Sequence, residues 1–236
     1  MSNADRIVTR EAWIAARKAL LAREKQYTRE GDALGAARRA LPMVKVDRPY
    51  VFAGPEGERS LAALFDGKRQ LVVYHFMFDP TWDAGCKSCS FVADHFGGAV
   101  AHLAARDTAF VVVSRAPLAK LEAFKARMGW TFRWLSSSNS GFNHDYHVSF
   151  QPEDVAAGAV DYNDTTQAFP VTEAQGLSVF LREGDEVLHT YSTYGRGVEV
   201  LMGTYHILDL TPLGRQEEGL PFSMSWVRHH DRYDAT

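Results

Sequence analysis

Cys86-Lys87-Ser88-Cys89 contains the only two cysteines of this 236-residue chain. Two thiols three positions apart mark either a dithiol/disulfide centre or half of a metal site. The strongly apolar run Leu71 to Phe78 precedes the pair, and Phe91, Val92, His95, Phe96, Ala99, Val100 and Leu103 follow it with helical spacing. Cys86 is therefore expected at a helix start, facing unsatisfied backbone N–H groups and the positive end of the helix dipole. Such surroundings bring a cysteine from about 8.5 into a range of roughly 3.5 to 7.5, and Lys87 adds a cation beside it. Cys89, one turn inside the helix, is expected to stay protonated. The roles divide accordingly: Cys86 attacks a disulfide, and Cys89 breaks the resulting mixed disulfide from within.

The loop Asp79-Pro80-Thr81-Trp82-Asp83-Ala84-Gly85 leads into the pair. Trp82 is expected either to shield the thiolate or to fill space under the loop. Asp79 and Asp83 are candidates to accept the Cys89 proton, with solvated turn positions as the alternative. A four-cysteine zinc site is excluded within one chain, so a metal would need histidines. His95, His144, His147, His206, His229 and His230 are available. His75, inside the apolar run, reads as a hydrogen-bonded core residue. No cofactor is implied.

Elements that would hold the pair can be read along the chain. Thr9 caps a helix to about Glu30, with Gly31-Asp32 as its stop and a second short helical pattern over residues 33 to 43. Val44-Lys45-Val46 and Tyr50-Val51-Phe52 alternate like a hairpin, closed by the turn Gly54-Pro55-Glu56-Gly57, and Ser60 caps one helical turn, Leu61 to Phe65. Gln70 to Phe78 reads as the central strand, followed by a helix of about eighteen residues from the cysteines. A strand over Thr108 to Ser114, a helix over Leu118 to Met128 and a strand over Thr131 to Leu135 come next, implying parallel strands with right-handed crossovers. Residues 136–170 form an irregular insert. A hairpin turns at Glu183-Gly184-Asp185, and Val198 to Leu208 is helical again. Phe222, Trp226 and Tyr233 are expected to pin the tail. The expected organisation is a helical arm over 1–43 and an α/β domain over 44–236.

With 46% hydrophobic residues and a net charge of −3, the chain carries no global signature of nucleic-acid or membrane binding. No apolar stretch is long enough to span a bilayer, and Met1 to Ala4 has no apolar signal core, so a cytoplasmic location is expected. A reducing compartment disfavours a structural disulfide and favours a catalytic or metal-bound pair. The first fifty residues are locally basic; a solvated helix face explains this, with a homodimer through the arm as the alternative. The partners implied by the chemistry are a thiol or disulfide substrate and an external thiol reductant.

Several stretches carry a family resemblance: Trp13 to Leu21, Arg39-Ala40-Leu41-Pro42, His75-Phe76-Met77-Phe78, Gly85 to Ser90, His189-Thr190-Tyr191-Ser192-Thr193-Tyr194-Gly195-Arg196-Gly197, Tyr205 to Pro212 and Trp226 to Tyr233. The chain resembles a bacterial thioredoxin-like family catalogued as domain of unknown function 899. The resemblance implies a thioredoxin-like sheet flanked by helices, with an N-terminal helical arm and a C-terminal extension, and a dithiol-disulfide exchange activity. Two departures from better-understood relatives matter. Thioredoxins place a proline just before the strand facing the redox pair, where this chain reads Gly176-Leu177-Ser178-Val179-Phe180; Ser178 is therefore a supporting candidate. Peroxiredoxins carry Pro-x-x-x-Thr-x-x-Cys, where this chain has Asp79 and Asp83 in place of the proline and threonine. A thiol peroxidase, a zinc- or copper-binding protein and a non-catalytic scaffold stay as alternatives to thiol-disulfide exchange.

Overall fold

The computed structural model describes residues 6–234; the stretch Met1 to Ala4 lies outside them. The described chain divides after Pro42 into a helical unit and a larger α/β unit. The first unit is one helix, α1 (Arg10–Arg39), opened by the Thr9 hydroxyl, which accepts the Ala12 amide at 3.3 Å. It passes through Gly31-Asp32 instead of stopping there. A glycine in mid-helix costs only about 1 kcal/mol relative to alanine, and Ala33, Leu34, Ala36 and Ala37 beyond it are strong helix formers.

The larger unit is built on an eight-stranded sheet. Its strands are β1 (Val44–Lys45), β2 (Val51–Gly54), β3 (Gly57–Ser60), β4 (Gln70–His75), β5 (Thr108–Ser114), β6 (Arg133–Ser136), β9 (Gly176–Glu183) and β10 (Glu186–Tyr194). The remaining pair, β7 (Val160–Tyr162) and β8 (Thr165–Gln167), forms a separate hairpin in the insert. The spatial order is β1-β10-β9-β4-β5-β6-β2-β3. β4, β5 and β6 run parallel, while β9 lies antiparallel to β4 and β10 antiparallel to β9. Helices α2 (Lys87–Ala93) and α3 (Ala99–Ala105) cross from β4 to β5, and α4 (Leu118–Arg127) crosses from β5 to β6. A parallel β-α-β unit with an antiparallel hairpin on the far side of its first strand is the thioredoxin-like arrangement, and it places the cysteines at the carboxyl end of the central strand.

β4 alternates between two cores because it is covered on both sides. Tyr74, Phe76 and Phe78 face the core shared with Cys89, Phe91, Phe96, Leu121, Phe124 and Trp134. Leu71 and Val73 face the opposite core with Phe52, Leu64, Phe65, Phe142 and Phe180.

Several elements differ from the sequence reading. Val44-Lys45 pairs with β10 at one sheet edge, and the hairpin across Pro55-Glu56 is instead β2 with β3. The helix begun at the cysteines breaks after Ala93 and restarts at Ala99, past Gly97-Gly98. The insert contains α5 (Phe142–Asp145), α6 (Pro152–Ala157) and the β7–β8 hairpin, around a small core of Phe150, Val160, Tyr162 and Ala174. The stretch after β10 is a 3-10 turn, Gly195–Leu201, and then α7 (Gly203–Leu208). In the tail, buried Val227 and His229 do the anchoring, with Trp226 half-buried beside Phe91; Phe222 and Tyr233 are exposed.

Candidate redox site

Cys86 is the N-cap of α2, with extended backbone, and its carbonyl accepts both the Ser90 amide at 2.9 Å and the Ser90 hydroxyl at 2.8 Å. Its own amide donates to the Met77 carbonyl at 3.1 Å, and the Met77 amide donates to the Cys89 sulfur at 3.5 Å. One residue just past the end of β4 thus holds both cysteines in place. Cys86 is half-buried and Cys89 fully buried, and neither is in a disulfide.

The two thiols are pushed in opposite directions. The Cys89 thiol, followed by the Cys89 and Ser88 amides and the Ser88 hydroxyl, favours the Cys86 thiolate, and against burial these groups draw Cys86 down to about 7. Burial, and then the adjacent Cys86, pushes the Cys89 thiol well up. Lys87 is exposed and is not among the leading groups that set the Cys86 ionisation.

The loop from Asp79 is fixed at several points. Asp79 is buried and committed: one oxygen accepts the Thr81 amide and hydroxyl at 2.8 and 2.7 Å, the other accepts Arg115 at 3.0 Å and the Thr172 hydroxyl at 3.0 Å. Burial opposes its charge, but the Thr81, Thr172 and Arg115 partners outweigh it and hold the carboxyl below its ordinary value. It is a structural anion and not a base for Cys89. Asp83 is exposed in the turn. The Pro80 and Trp82 carbonyls both accept the Lys120 ammonium, at 2.8 and 2.9 Å, and the half-buried Trp82 packs against the core that includes the cysteines. Gly85 passes so close to the core that a Cβ there would lie 2.7 Å from the Phe76 ring and 3.1 Å from the Phe124 ring. Gly85→Ala is accordingly expected to cost about 1–3 kcal/mol in urea unfolding, because two buried rings must shift.

Ser178 is not part of this site. It pairs with Val73 across β4 and β9, on the face turned away from Cys89. His75 is fully buried on that face too, with Nε2 at 2.9 Å from the Ser178 hydroxyl, and burial holds its pKa near about 3.

Four residues of the site were not singled out by spacing. Gln175, immediately before β9, sets its side-chain oxygen 4.0 Å from the Cys89 sulfur. Tyr162 from the insert fixes this segment, donating to the Gln175 carbonyl at 2.8 Å and accepting the Gly195 amide at 2.8 Å. Tyr74 is fully buried; burial first, then the nearby Cys89 sulfur, keep it a phenol. His229 from the tail meets the Gly85 carbonyl at 2.9 Å through Nε2, while Arg127 donates to its Nδ1 at 3.2 Å. Because Arg127 occupies Nδ1 as a donor, the His229 proton sits on Nε2 and is donated to Gly85. Burial, chiefly, keeps this ring neutral. For Gln175 the sequence signal was the missing proline in the stretch that follows it; His229 was read only as a candidate metal ligand and Tyr74 only as part of the apolar run.

Among the described residues, no three His, Cys, Asp or Glu side chains converge as a metal-ligand set. Of the candidate histidines, His95 meets Thr204 at 2.9 Å, His147 meets Asp161 at 3.2 Å and His230 meets Asp94 at 2.7 Å.

The profile of a family described as bacterial protein of unknown function, DUF899, matches residues 2–233. The chain belongs to that family. No curated protein matches the chain. Among solved structures it is similar to peroxiredoxin Q of Xanthomonas campestris, at 14% identity and a TM-score of 0.45, over 71% of this chain and 96% of that one. Peroxidoxin BcpB of Mycobacterium tuberculosis gives 13% identity and a TM-score of 0.44, over 71% and 97%. A secreted M. tuberculosis disulfide oxidoreductase homologous to E. coli DsbE gives 15% identity and 0.38, over 65% and 92%. The thioredoxin-like assignment rests on strand order and connections. No helix among the described residues is long and apolar enough to cross a membrane.

Proposed function

We propose that the protein is a thiol-disulfide oxidoreductase in which Cys86 is the attacking thiol and Cys89 the resolving one. The observation that supports this most directly is the opposed ionisation of the pair, with a half-exposed Cys86 drawn to about 7 beside a buried Cys89 held protonated. The Cys86 thiolate attacks one sulfur of a substrate disulfide, forming a mixed disulfide and releasing the other sulfur as a thiolate that takes a proton. Cys89 then loses its proton and attacks the Cys86 sulfur. The second substrate thiol leaves, and an intramolecular disulfide remains for an external thiol to reduce. As Cys89 ionises, the Met77 amide and the Tyr74 phenol are the donors beside its sulfur.

Alkylation of the reduced protein by iodoacetamide tests the first requirement. The rate at Cys86 is expected to rise with pH through an inflection at about 7, while Cys89 in the folded protein stays unmodified. An inflection at the free-thiol value, or equal reaction at both sulfurs, contradicts the mechanism.

A further inference from the structure

Within the motif His189 to Gly197, His189 and Ser192 lie on the opposite face of the sheet from Cys89, with Ser178 and His75. Strand β10 carries a bulge at Thr190: His189 pairs with Phe180 and Tyr191 with Val179. In a regular strand, residues three apart point to opposite faces, and the extra residue turns His189 and Ser192 to the same side. Their side chains meet, with His189 Nε2 at 2.8 Å from the Ser192 hydroxyl. Ser192 is in turn 2.8 Å from the Ser178 hydroxyl, which is 2.9 Å from His75 Nε2.

Protons on this line of four groups have a direction. Each hydroxyl supplies one, so a ring nitrogen must supply the third for three hydrogen bonds. His75 Nδ1 is buried and has no partner. A proton there would be a buried donor left unsatisfied, which is costlier than a bare acceptor nitrogen. The His75 proton therefore sits on Nε2 and is donated to Ser178. Ser178 donates to Ser192, and the Ser192 proton falls on His189 Nε2. That orientation turns a serine into a nucleophile with its base already in contact.

Ser192 and His189 line a cleft of about 530 Å³, together with Tyr50, Tyr146, Lys45 and Asp145. The Tyr146 ring stands edge-on to His189, with centroids 5.2 Å apart. Burial keeps the Tyr146 hydroxyl protonated. Burial likewise favours neutral His189, while the Tyr191 backbone favours the protonated ring it would become.

We infer that Ser192 and His189 form a second reactive site, independent of the cysteines, that cleaves a small polar carboxylic ester by acyl transfer. The Ser192 oxygen bonds to the acyl carbon as its proton passes to His189 Nε2. The Tyr146 hydroxyl offers a donor to the developing oxyanion. His189 returns the proton to the leaving alcohol, and water repeats the sequence to release the acid and restore Ser192. His75 and Ser178 act as positioning residues.

Two measurements on the full chain decide this. Nitrogen-15 chemical shifts of the histidine rings are expected to show His75 bare at Nδ1 and protonated at Nε2, with His189 the reverse; a proton on His75 Nδ1 or on His189 Nε2 overturns the inference. A fluorophosphonate probe, followed by peptide mapping, is expected to modify Ser192 in wild-type protein and equally in a Cys86→Ser/Cys89→Ser variant. His189→Gln, checked for folding by circular dichroism, should slow this labelling by about 100-fold, within the usual range for a lost general base. No Ser192 adduct on folded wild-type protein, or labelling at an unchanged rate in folded His189→Gln, overturns it.

Discussion

Cys89→Ser is expected to stall the reaction as a stable mixed disulfide at Cys86, and Cys86→Ser to abolish exchange down to the uncatalysed background. The reason lies in the relative weight of two effects. With Cys86 at about 7, half of it is thiolate at neutral pH, against roughly 3% for a free cysteine near 8.5. That is about a sixteen-fold advantage in attacking species, but nucleophilicity falls with pKa at a Brønsted slope near 0.45, leaving a net gain of only about three-fold. Activation of the first thiol therefore contributes little rate by itself. The larger contribution comes from Cys89, a second thiol held permanently one helical turn away, which converts resolution into an intramolecular step. Incubation with glutathione disulfide and intact-mass measurement separate the two variants. Cys89→Ser should accumulate one glutathione per chain, Cys86→Ser should acquire none, and the wild type should end as the internal disulfide with none retained. Stoichiometric glutathione on Cys89 in the Cys86→Ser protein would reverse the assigned roles.

The cysteine pair and the central strand before it were legible in the sequence because both signals are local. A three-residue cysteine spacing and an unbroken run of β-branched and aromatic residues need no tertiary context. The roles proposed for the two thiols were likewise read from their place at a helix start, although Lys87 turned out to be exposed and Cys89 itself to be the leading influence on Cys86. What surrounds the pair was hidden because it arrives from distant parts of the chain. Gln175, Tyr162 and His229 come from the approach to β9, the insert and the tail. None lies in a periodic segment, and each is identified only by the group it bonds. Ser178 was placed at the site by proximity along the chain to the position of the missing proline. Strand alternation decides otherwise, since the residue that faces Cys89 is the one just before the strand begins. The helix break at Gly97-Gly98 and the run through Gly31-Asp32 make a related point. Glycine weakens a helix by an amount that neighbouring alanines and leucines can offset in one context and not in another.

Arg115→Leu is expected to lower stability by about 3–5 kcal/mol, the range found when one partner of a buried ion pair is removed. Arg115 joins Asp79, at 3.0 Å, to Glu173, at 2.6 Å, and the second Glu173 oxygen accepts the Ser149 hydroxyl at 2.8 Å. Glu173 is fully buried, and its charge then has no cation against it. Burial already pushes Glu173 up from 4.5 to about 7, despite Arg115 and Ser149. Between those values the folded protein binds the proton more tightly than the unfolded chain does, so this group's contribution to stability falls as pH rises from about 4.5 through about 7. Asp79 acts with the opposite sign: its lowered pKa contributes stability above 3.8 that is lost as pH falls below it. The buried histidines work against this, because the lowered pKa values of His75, His189 and His229 make their contributions rise with pH toward 6.5, so the Glu173 part is read as a difference between two proteins. In Glu173→Gln, which keeps an oxygen for Arg115 or Ser149 and cannot ionise, the urea midpoint should climb more steeply, or fall less, than that of the wild type between about pH 4.5 and 7. An unchanged pH profile in Glu173→Gln would show that the buried carboxyl does not titrate in this window. The same cluster reaches the thiols from both sides, because Asp79 begins the loop into Cys86 and Glu173 stands two residues before Gln175. Arg115→Leu should therefore also slow glutathione disulfide reduction under conditions where the variant is still folded, whereas Glu173→Gln, with Arg115 and Asp79 intact, should leave the exchange rate close to wild type.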